Sequence, residues 1–192
     1  MKRAGFQIDL GRCVGCGSCV LACRIENSLP IGLSWRRVLP LNLDRKPGGP
    51  TYHFSLACHH CENPACFQAC PSGAYEIGEN GAVTLNDGRC LGCRYCEMAC
   101  PFGAPAYDDG TGTMSKCDFC SDRAERGERP ACIEACPTEA LSGIDENGDG
   151  STIEEMPGFI DPAGCKPSLR FIEPRGRMRI ERLQSLWEVL KL

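Results

Sequence analysis

Seventeen cysteines dominate this sequence of 192 residues, and their spacing constrains what the chain can fold into. Sixteen of them fall into four sets of four, and Cys165 is left over. In chain order the sets are Cys13, Cys16, Cys19 and Cys23; Cys58, Cys61, Cys66 and Cys70; Cys90, Cys93, Cys96 and Cys100; and Cys117, Cys120, Cys132 and Cys136. Three of the four sets end in a Cys-Pro pair. We therefore expect the chain to fold around its thiols.

Three kinds of site compete for this many thiols: disulfides, zinc and iron–sulfur clusters. Disulfides favour secreted chains with even cysteine counts and less regular spacing. A tetrahedral zinc site usually takes two C-x2-C pairs that lie far apart, which leaves no place for the third thiol of the compact sets. The spacing C-x2-C-x2-C-x3-C, followed by proline in the third set, is typical of bacterial two-cluster ferredoxins. The sequence therefore predicts [4Fe–4S] clusters, and sixteen ligands predict four of them.

The chain is also internally duplicated. The segment GRCVGCGSCVLAC at 11–23 aligns without a gap with GRCLGCRYCEMAC at 88–100. A second pair of segments, CFQACPSGA at 66–74 and CIEACPTEA at 132–140, aligns in the same way. The order is compact, stretched, compact, stretched, which is one unit of two motifs repeated. Repeats on this scale predict a repeated architecture.

Short apolar segments around the motifs predict strands, and the segments that lead away from the motifs predict short helices. The predicted strands are GFQIDL, YHFSL, AVTLN and ALSGI, and the predicted helices are SCVLACRIEN and CEMAC. This alternation predicts an α+β fold of duplicated ferredoxin-like units with small antiparallel sheets, short helices and long loops. Because only 7% of the residues are aromatic, we expect the clusters to tie the loops together in place of a large apolar core.

The spacing leaves the pairing of the four sets open. In the ferredoxin pattern the fourth cysteine of a set binds the other cluster, so each pair of clusters combines one compact and one stretched set. Either neighbours pair, first with second and third with fourth, or the arrangement is nested, first with fourth and second with third. Both arrangements satisfy the spacing, and the duplication favours neither.

Three segments resemble the iron–sulfur subunit of the dimethyl sulfoxide reductase family. They are CRYCEMACPFGAPAYDDGTGTMSKCDFCSDR at 93–123, CHHCENPACFQACPSGA at 58–74 and GFQIDLGRCVGCGSCVLAC at 5–23. The similarity covers about residues 5–142 and includes all four motifs in order. The broader group includes subunits of polysulfide, tetrathionate and arsenate reductases and of some formate dehydrogenases. The GAPAY and MSKCD segments favour the dimethyl sulfoxide type.

The resemblance implies the nested pairing and a ligand set for each of four [4Fe–4S] clusters. The implied sets are Cys13, Cys16, Cys19 and Cys136 (site 1); Cys58, Cys61, Cys66 and Cys100 (site 2); Cys70, Cys90, Cys93 and Cys96 (site 3); and Cys23, Cys117, Cys120 and Cys132 (site 4). Some relatives replace one ligand and hold a three-iron cluster, but no ligand position is substituted here. The expected domains are 1–50 with 101–150 (sites 1 and 4), an inserted domain 51–100 (sites 2 and 3), and a C-terminal extension 151–192 that docks a partner.

The sequence carries cluster motifs and no sign of a substrate site. It has no Gly-rich phosphate loop, no flavin or dinucleotide fingerprint and no recognisable nucleophile–base pair, and full cysteine sets leave no iron open for substrate. Because such clusters pass single electrons, we expect a non-catalytic electron-transfer subunit. The resemblance implies that it connects a molybdopterin catalytic subunit with a quinol-oxidising integral-membrane anchor in an anaerobic respiratory complex. The alternative is a cluster subunit of a formate dehydrogenase or hydrogenase complex.

Charge and hydropathy argue against other classes of function. The formal net charge of −4 gives no electrostatic reason to bind nucleic acid. No apolar run reaches the roughly 18 residues that predict a membrane span, and the N-terminal stretch leaves no room for a signal peptide. We therefore expect membrane association through partner subunits, on the extracytoplasmic face by export together with the catalytic subunit. The cytoplasmic face is the alternative.

Some side chains near the motifs support weaker predictions. Positive side chains beside the ligands are expected either to favour reduced clusters or simply to be solvated; they are Arg12, Arg24, Arg89, Arg94 and Lys116. We expect His59 and His60 to lie around a cluster or at the surface, because full cysteine sets leave no vacancy for them. Cys165 has no cysteine left to pair with and is interpreted as a structural thiol.

Two segments lie outside the motifs. DENGDGSTIEEM at 145–156 begins like a calcium loop but has Met156 where a bidentate glutamate belongs, so it is interpreted as an acidic surface turn. RMRIERLQSLWEVLKL at 177–192 predicts a helix that packs on the chain itself or on a partner subunit. The apolar side chains at helical spacing are Leu183, Leu186, Trp187 and Leu190.

Overall fold

A computed structural model describes residues 4–41, 51–144, 152–153 and 164–172. In chain order its elements are β1 (Phe6–Asp9), α1 (Ser18–Glu26), β2 (Arg37–Leu41), β3 (Tyr52–Leu56), α2 (Ala65–Gln68), β4 (Tyr75–Ile77), β5 (Val83–Leu85), a 3-10 turn (Asp87–Arg89), α3 (Tyr95–Ala99), β6 (Ala106–Asp108), β7 (Thr113–Ser115), α4 (Ser121–Glu125), α5 (Ala131–Glu134), β8 (Leu141–Gly143), β9 (Thr152–Ile153) and β10 (Leu169–Ile172). The segment 145–156 apart from β9, and the predicted C-terminal helix, lie outside the described residues.

The elements predicted around the cysteine motifs are confirmed. The four predicted strand segments contain β1, β3, β5 and β8, and the two predicted helices correspond to α1 and α3. Three antiparallel hairpins, β2 with β3, β4 with β5, and β6 with β7, are the small sheets expected between the motifs. The architecture is therefore α+β with short elements joined by long loops.

One sheet differs from the predicted antiparallel pattern. Its strand order is β8-β1-β10-β9, and β1 pairs with β10 in parallel, with Phe6 opposite Leu169 and Ile8 opposite Phe171. Leu169 and Phe171 alternate with less buried residues, so β10 turns one apolar face toward the core. Part of the range expected to form an extension thus packs into the body of the chain.

Two buried clusters of side chains form the core, and cysteines belong to both. The larger one gathers around Phe6, Phe54 and Phe171, with the rings of Phe54 and Phe171 5.1 Å apart. The smaller one lies between β4, β5 and α3, around Tyr75 and Val83. Helix α1 packs on α5, and α2 packs on α3, so each helix contact joins two different cysteine motifs.

Candidate metal centres

The cysteines predicted for site 1 line one cavity. They are Cys13, Cys16, Cys19 and Cys136. The first three come from the loop before α1 and from its first turn, and the fourth follows α5, which packs on α1. The loop turns at Gly15 (φ 71°), where a Cβ would lie 2.4 Å from the ring of His53, so glycine is required. The cavity, together with the open space at its mouth, contains about 360 Å³.

A second cavity contains the four cysteines predicted for site 2 and one more. Its thiols are those of Cys58, Cys61, Cys66, Cys100 and Cys165. The first three follow β3 and enter α2, and Cys100 directly follows α3, which packs on α2. The cavity again contains about 360 Å³ with its mouth. The backbone N–H of Ala104 donates to Cys100 Sγ at 3.5 Å.

The smaller core holds most of the thiols predicted for site 3. They are Cys70, Cys90 and Cys96. Backbone N–H groups of Gly92 and Met114 donate to Cys90 Sγ at 3.4 and 3.3 Å, and that of Ala74 donates to Cys70 Sγ at 3.4 Å. The hydrogen bond from Ala74 is among those that lower the pKa of the Cys70 thiol. Cys93 lies exposed in the loop between Cys90 and α3.

The four cysteines predicted for site 4 are all buried. They are Cys23, Cys117, Cys120 and Cys132. Cys23 belongs to α1 and Cys132 to α5, and these helices pack together. Burial, together with the neighbouring Cys132, raises the pKa of Cys23 to about 12. The structure thus brings thiols of the first and fourth motifs together, and likewise those of the second and third.

Burial holds several of these thiols in the protonated form. It raises the pKa of Cys66 to about 12 and that of Cys120 to about 11. Two thiols near the surface have lowered pKa values instead. A hydrogen bond with Ser18 lowers the pKa of Cys16. At Cys70, burial raises the pKa, but hydrogen bonds from Ser72 and the backbone together outweigh it and lower the pKa. Because iron binds thiolate, metal binding must displace protons from the buried thiols.

The thiol groups fit clusters better than single metal ions. Within the described residues, no group of three or more His, Cys, Asp or Glu side chains is arranged to hold one metal ion. A [4Fe–4S] cubane takes four cysteine ligands, each on a different iron, so its sulfur ligands surround a volume and do not converge on a point. The cavities of sites 1 and 2 have this form, with thiols around an apolar interior.

Two buried cations lie among the thiols. Lys116 lines the site 2 cavity, and its ammonium donates to the carbonyl oxygen of Val83 and, at 2.8 Å, to that of Cys117. Arg36 is 1% exposed and donates to Ser55 Oγ at 2.9 Å. Among the five positive side chains singled out in the sequence, Lys116 is the buried one.

The other four of those side chains lie nearer the surface. Arg12, Arg89 and Arg94 pair with glutamates at 3.1, 3.1 and 2.7 Å in solvated positions, where ion pairs contribute little. Arg24 donates to a backbone carbonyl at 3.3 Å. Arg36 could not be found in this way, because no cysteine adjoins it and nothing in the sequence separates it from the exposed Arg37.

Both adjacent histidines are buried between the second motif and its neighbours. The backbone N–H of Val83 donates to His60 Nδ1 at 3.0 Å, so Nε2 carries the proton and faces Cys117 Sγ at 3.7 Å. His59 lines the site 2 cavity with its ring 4.5 Å from that of Phe102. The sequence predicts that these histidines lie either around a cluster or at the surface. Their burial beside the cysteines supports the first position.

Comparison with known proteins assigns the family. A family model described as a 4Fe-4S dicluster domain matches residues 50–146, and one described as a 4Fe-4S binding domain matches residues 6–26. These matches confirm the predicted ferredoxin-like fold class. No helix of the described ranges has the length and apolar character to cross a membrane.

Several curated proteins are similar over most of their length. One chain of the anaerobic dimethyl sulfoxide reductase of Escherichia coli (strain K12) is 41% identical over 172 residues, which cover 80% of the present sequence and 82% of that protein. The thiosulfate reductase electron transfer subunit of Salmonella typhi is 41% identical over 69% of the present sequence and 71% of its own. A subunit of the sulfite dehydrogenase of Allochromatium vinosum is 34% identical over 94% and 86%. The chain belongs to the iron–sulfur electron-transfer subunits of the dimethyl sulfoxide reductase family.

Proposed function

We propose that the chain holds four [4Fe–4S] clusters at sites 1 to 4 and relays electrons between a molybdopterin catalytic subunit and a quinol-oxidising membrane anchor. The observation that supports this most directly is the lining of the two cavities. Each combines three cysteines of one motif with the last cysteine of another, as in two-cluster ferredoxins. When bound, such clusters accept and release single electrons without forming or breaking bonds to a substrate.

Contacts between the sites support a linear order 1–4–2–3. Cys19 of site 1 lies near Cys132 of site 4, and Cys58 of site 2 lies near Cys117 of site 4. Sites 2 and 3 meet in the smaller core, where Tyr75 packs with Cys66 and Cys96. In this order each site has a neighbour within the buried interior, so an electron need not cross the surface between sites.

The exposure of the cysteines supports the same order. Cys16 of site 1 and Cys93 of site 3 are exposed, whereas the cysteines of sites 2 and 4 are buried or half-buried. The two sites with an exposed cysteine are therefore the two ends of the series. We assign the contacts with the two partner subunits to these ends.

The packing of the helices supports two nested ferredoxin-like domains. Helix α1 contacts α5, which joins residues of 1–50 with residues of 101–150, and α2 contacts α3 within 51–100. Sites 1 and 4 belong to the first domain in this proposal, and sites 2 and 3 to the inserted one. The remaining segment, 151–192, contributes β9 and β10 to the sheet of the first domain.

The residues around the thiols would hold the ligands and tune their charge. The imidazole of His60 would orient Cys117 Sγ, and the backbone N–H groups of Gly92 and Met114 would orient Cys90 Sγ. The catalytic reaction belongs to the partner in this proposal, and this chain is not itself an enzyme. The relatives include both a reductase and a dehydrogenase component, so the partners set the direction of electron flow. We place the complex at the membrane through the anchor, on the extracytoplasmic face by joint export.

Anaerobic purification of the full chain tests the cluster content. We expect four irons and four sulfides for each of four sites, and EPR spectra of reduced [4Fe–4S] clusters after dithionite treatment. Zinc in place of iron, or fewer than four clusters in a fully loaded preparation, would contradict the proposal. Co-purification with a molybdopterin subunit and a multi-span subunit tests the partners, and recovery of a hydrogenase instead would favour the alternative.

A further inference from the structure

Arg36 is a charged side chain in the interior of the protein, at the end of the loop before β2. Its side chain is 1% exposed, and the guanidinium carbon lies 4.3 Å from the centre of the Phe6 ring. Nη1 donates to the hydroxyl of Ser55 at 2.9 Å. Packing on an aromatic face and hydrogen bonds from Nη1 to the hydroxyl and, at 3.5 Å, to the carbonyl oxygen of Ser55 fix the position of the charge.

The charge of Arg36 has no carboxylate to balance it in the described part of the chain. The ion pairs found there join other residues. Nε and Nη2 also have no oxygen or nitrogen acceptor among the described residues. Because a buried cation without a counter-charge is strongly destabilising, negative charge must be supplied by something else nearby.

Thiols of two different sites surround this cation. The hydroxyl of Ser55, which accepts the hydrogen bond from Arg36, lies 3.3 Å from Cys19 Sγ of site 1. On the side of site 4, burial raises the pKa of Cys132, and the charge of Arg36 is the largest influence in the opposite direction. The Phe6 ring beneath the guanidinium lies 5.1 Å from the ring of Phe119, the residue before Cys120 of site 4. Arg36 therefore lies between sites 1 and 4.

We propose that Arg36 is a shared counter-charge of sites 1 and 4 and raises the reduction potentials of the clusters bound there. This role rests on the proposed function. A cubane with four thiolates carries a charge of about −2, and reduction adds one more negative charge. A fixed cation in the low-dielectric interior stabilises the more negative, reduced state. Arg36 thus affects the clusters at both sites through its charge and does not itself bind iron.

Midpoint potentials of the full chain, measured by EPR-monitored titration, test this role. Arg36→Gln removes the charge but keeps an amide hydrogen-bond donor, and Arg36→Lys keeps the charge. Arg94→Gln is the matched control, because Arg94 is an arginine within the third cysteine motif but lies exposed in an ion pair with Glu97. Signals are assigned to sites through Cys16→Ala for site 1 and Cys120→Ala for site 4.

At a fixed applied potential, we expect Arg36→Gln to lower the ratio of reduced to oxidised cluster at sites 1 and 4 at least tenfold. For a one-electron couple, this corresponds to a decrease of the midpoint potential by about 59 mV. At site 3, the most distant in the proposed order, this ratio should change less than threefold. In Arg36→Lys and in Arg94→Gln, the ratio should stay within threefold of that in the unmodified chain at every site. Unchanged potentials in Arg36→Gln, or an equal shift at all four sites, would overturn the proposal.

A failure to assemble clusters is also informative. If Arg36→Gln lacks clusters at sites 1 and 4 while Arg36→Lys contains them, the positive charge is required and the proposal is supported. If Arg36→Lys lacks them as well, Arg36 is needed for its packing and the proposal is wrong. An absence of iron–sulfur clusters from the unmodified chain would instead contradict the proposed function, so the two failures are distinguishable.

Discussion

Cys165 lines the same cavity as Cys61, although the sequence offered Cys165 no place among the four cysteine sets. The thiol is 1% exposed. Two backbone hydrogen bonds join its segment to the loop of the second motif. The N–H of Asn63 donates to the carbonyl oxygen of Cys165 at 3.0 Å, and the N–H of Ser168 donates to the carbonyl oxygen of His59 at 2.9 Å. Five thiols thus surround a site that is proposed to need four.

We expect Cys165 to become an iron ligand when Cys61 is removed. Cys61→Ala should keep the full iron content, with Cys165 losing its proton as it binds iron, whereas Cys61→Ala combined with Cys165→Ala should contain less iron. Cys93→Ala is the control. Cys93 is the second cysteine of its set, as Cys61 is, but only four thiols are assigned to its site, whereas five surround site 2. Iron analysis and EPR of the oxidised chain check this: a three-iron signal in Cys61→Ala equal to that of Cys93→Ala would contradict it.

Replacement of Cys23 tests the nested pairing. Cys23→Ser should damage site 4, whose other ligands lie in 117–132, and leave site 1 intact although Cys13, Cys16 and Cys19 are its neighbours in sequence. The reason is that Cys23 packs beside Cys132 across the contact of α1 with α5. EPR of the reduced chain should lose the signal that Cys120→Ala also removes. Loss of the signal that Cys66→Ala removes would indicate pairing of neighbouring sets instead.

The sequence predicted what depends on local spacing and failed where distant segments meet. The strands and helices beside the motifs follow from short apolar patterns, and YHFSL coincides with β3. By contrast, the burial of Arg36 and the exposure of Arg37 depend on Phe6 and Ser55, which come from other strands. The parallel pairing of β10 with β1 likewise depends on a contact across most of the chain. No periodicity in a short segment encodes such contacts.

Cluster binding should weaken as the pH falls. Burial places the pKa of Cys23 and Cys66 at about 12 and that of Cys120 at about 11, so these thiols are protonated in the metal-free chain at neutral pH. Each releases a proton when it binds iron, so each lowers the apparent binding constant about tenfold per unit decrease of pH while the pH is below its pKa. Cys16, whose pKa is lowered by Ser18, should contribute less.

Competition with an iron chelator between pH 7 and 9 measures this dependence, after correction for the proton uptake of the chelator and of sulfide. Iron retention should increase with pH throughout this range, because the three raised pKa values lie above it. Ser18→Ala serves as a comparison, since loss of the hydrogen bond raises the pKa of Cys16 and should steepen the dependence at site 1. Retention that does not change with pH would show that the buried thiols are already ionised.

The two ends of the proposed series present matching apolar side chains. Val14 is 61% exposed beside site 1, and Leu91, its equivalent in the duplication, is 72% exposed beside site 3. A second equivalent pair, Leu21 and Met98, is 61% and 73% exposed. Because the same positions are apolar and exposed at both proposed ends, we expect these side chains to be covered by the two partner subunits.

We expect Val14→Ser and Leu91→Ser to weaken binding to different partner subunits, each by about tenfold or more, because burial of a valine or leucine side chain contributes about 1.5–3 kcal/mol. Iron content should not change in either variant, since neither side chain is a ligand. Ile31→Ser is the control: Ile31 is 98% exposed but lies outside all four cysteine motifs. Affinity purification of the complex from cells that express each variant measures which subunit is lost. If both variants lose the same subunit, or if Ile31→Ser has the same effect, the two ends do not serve separate partners.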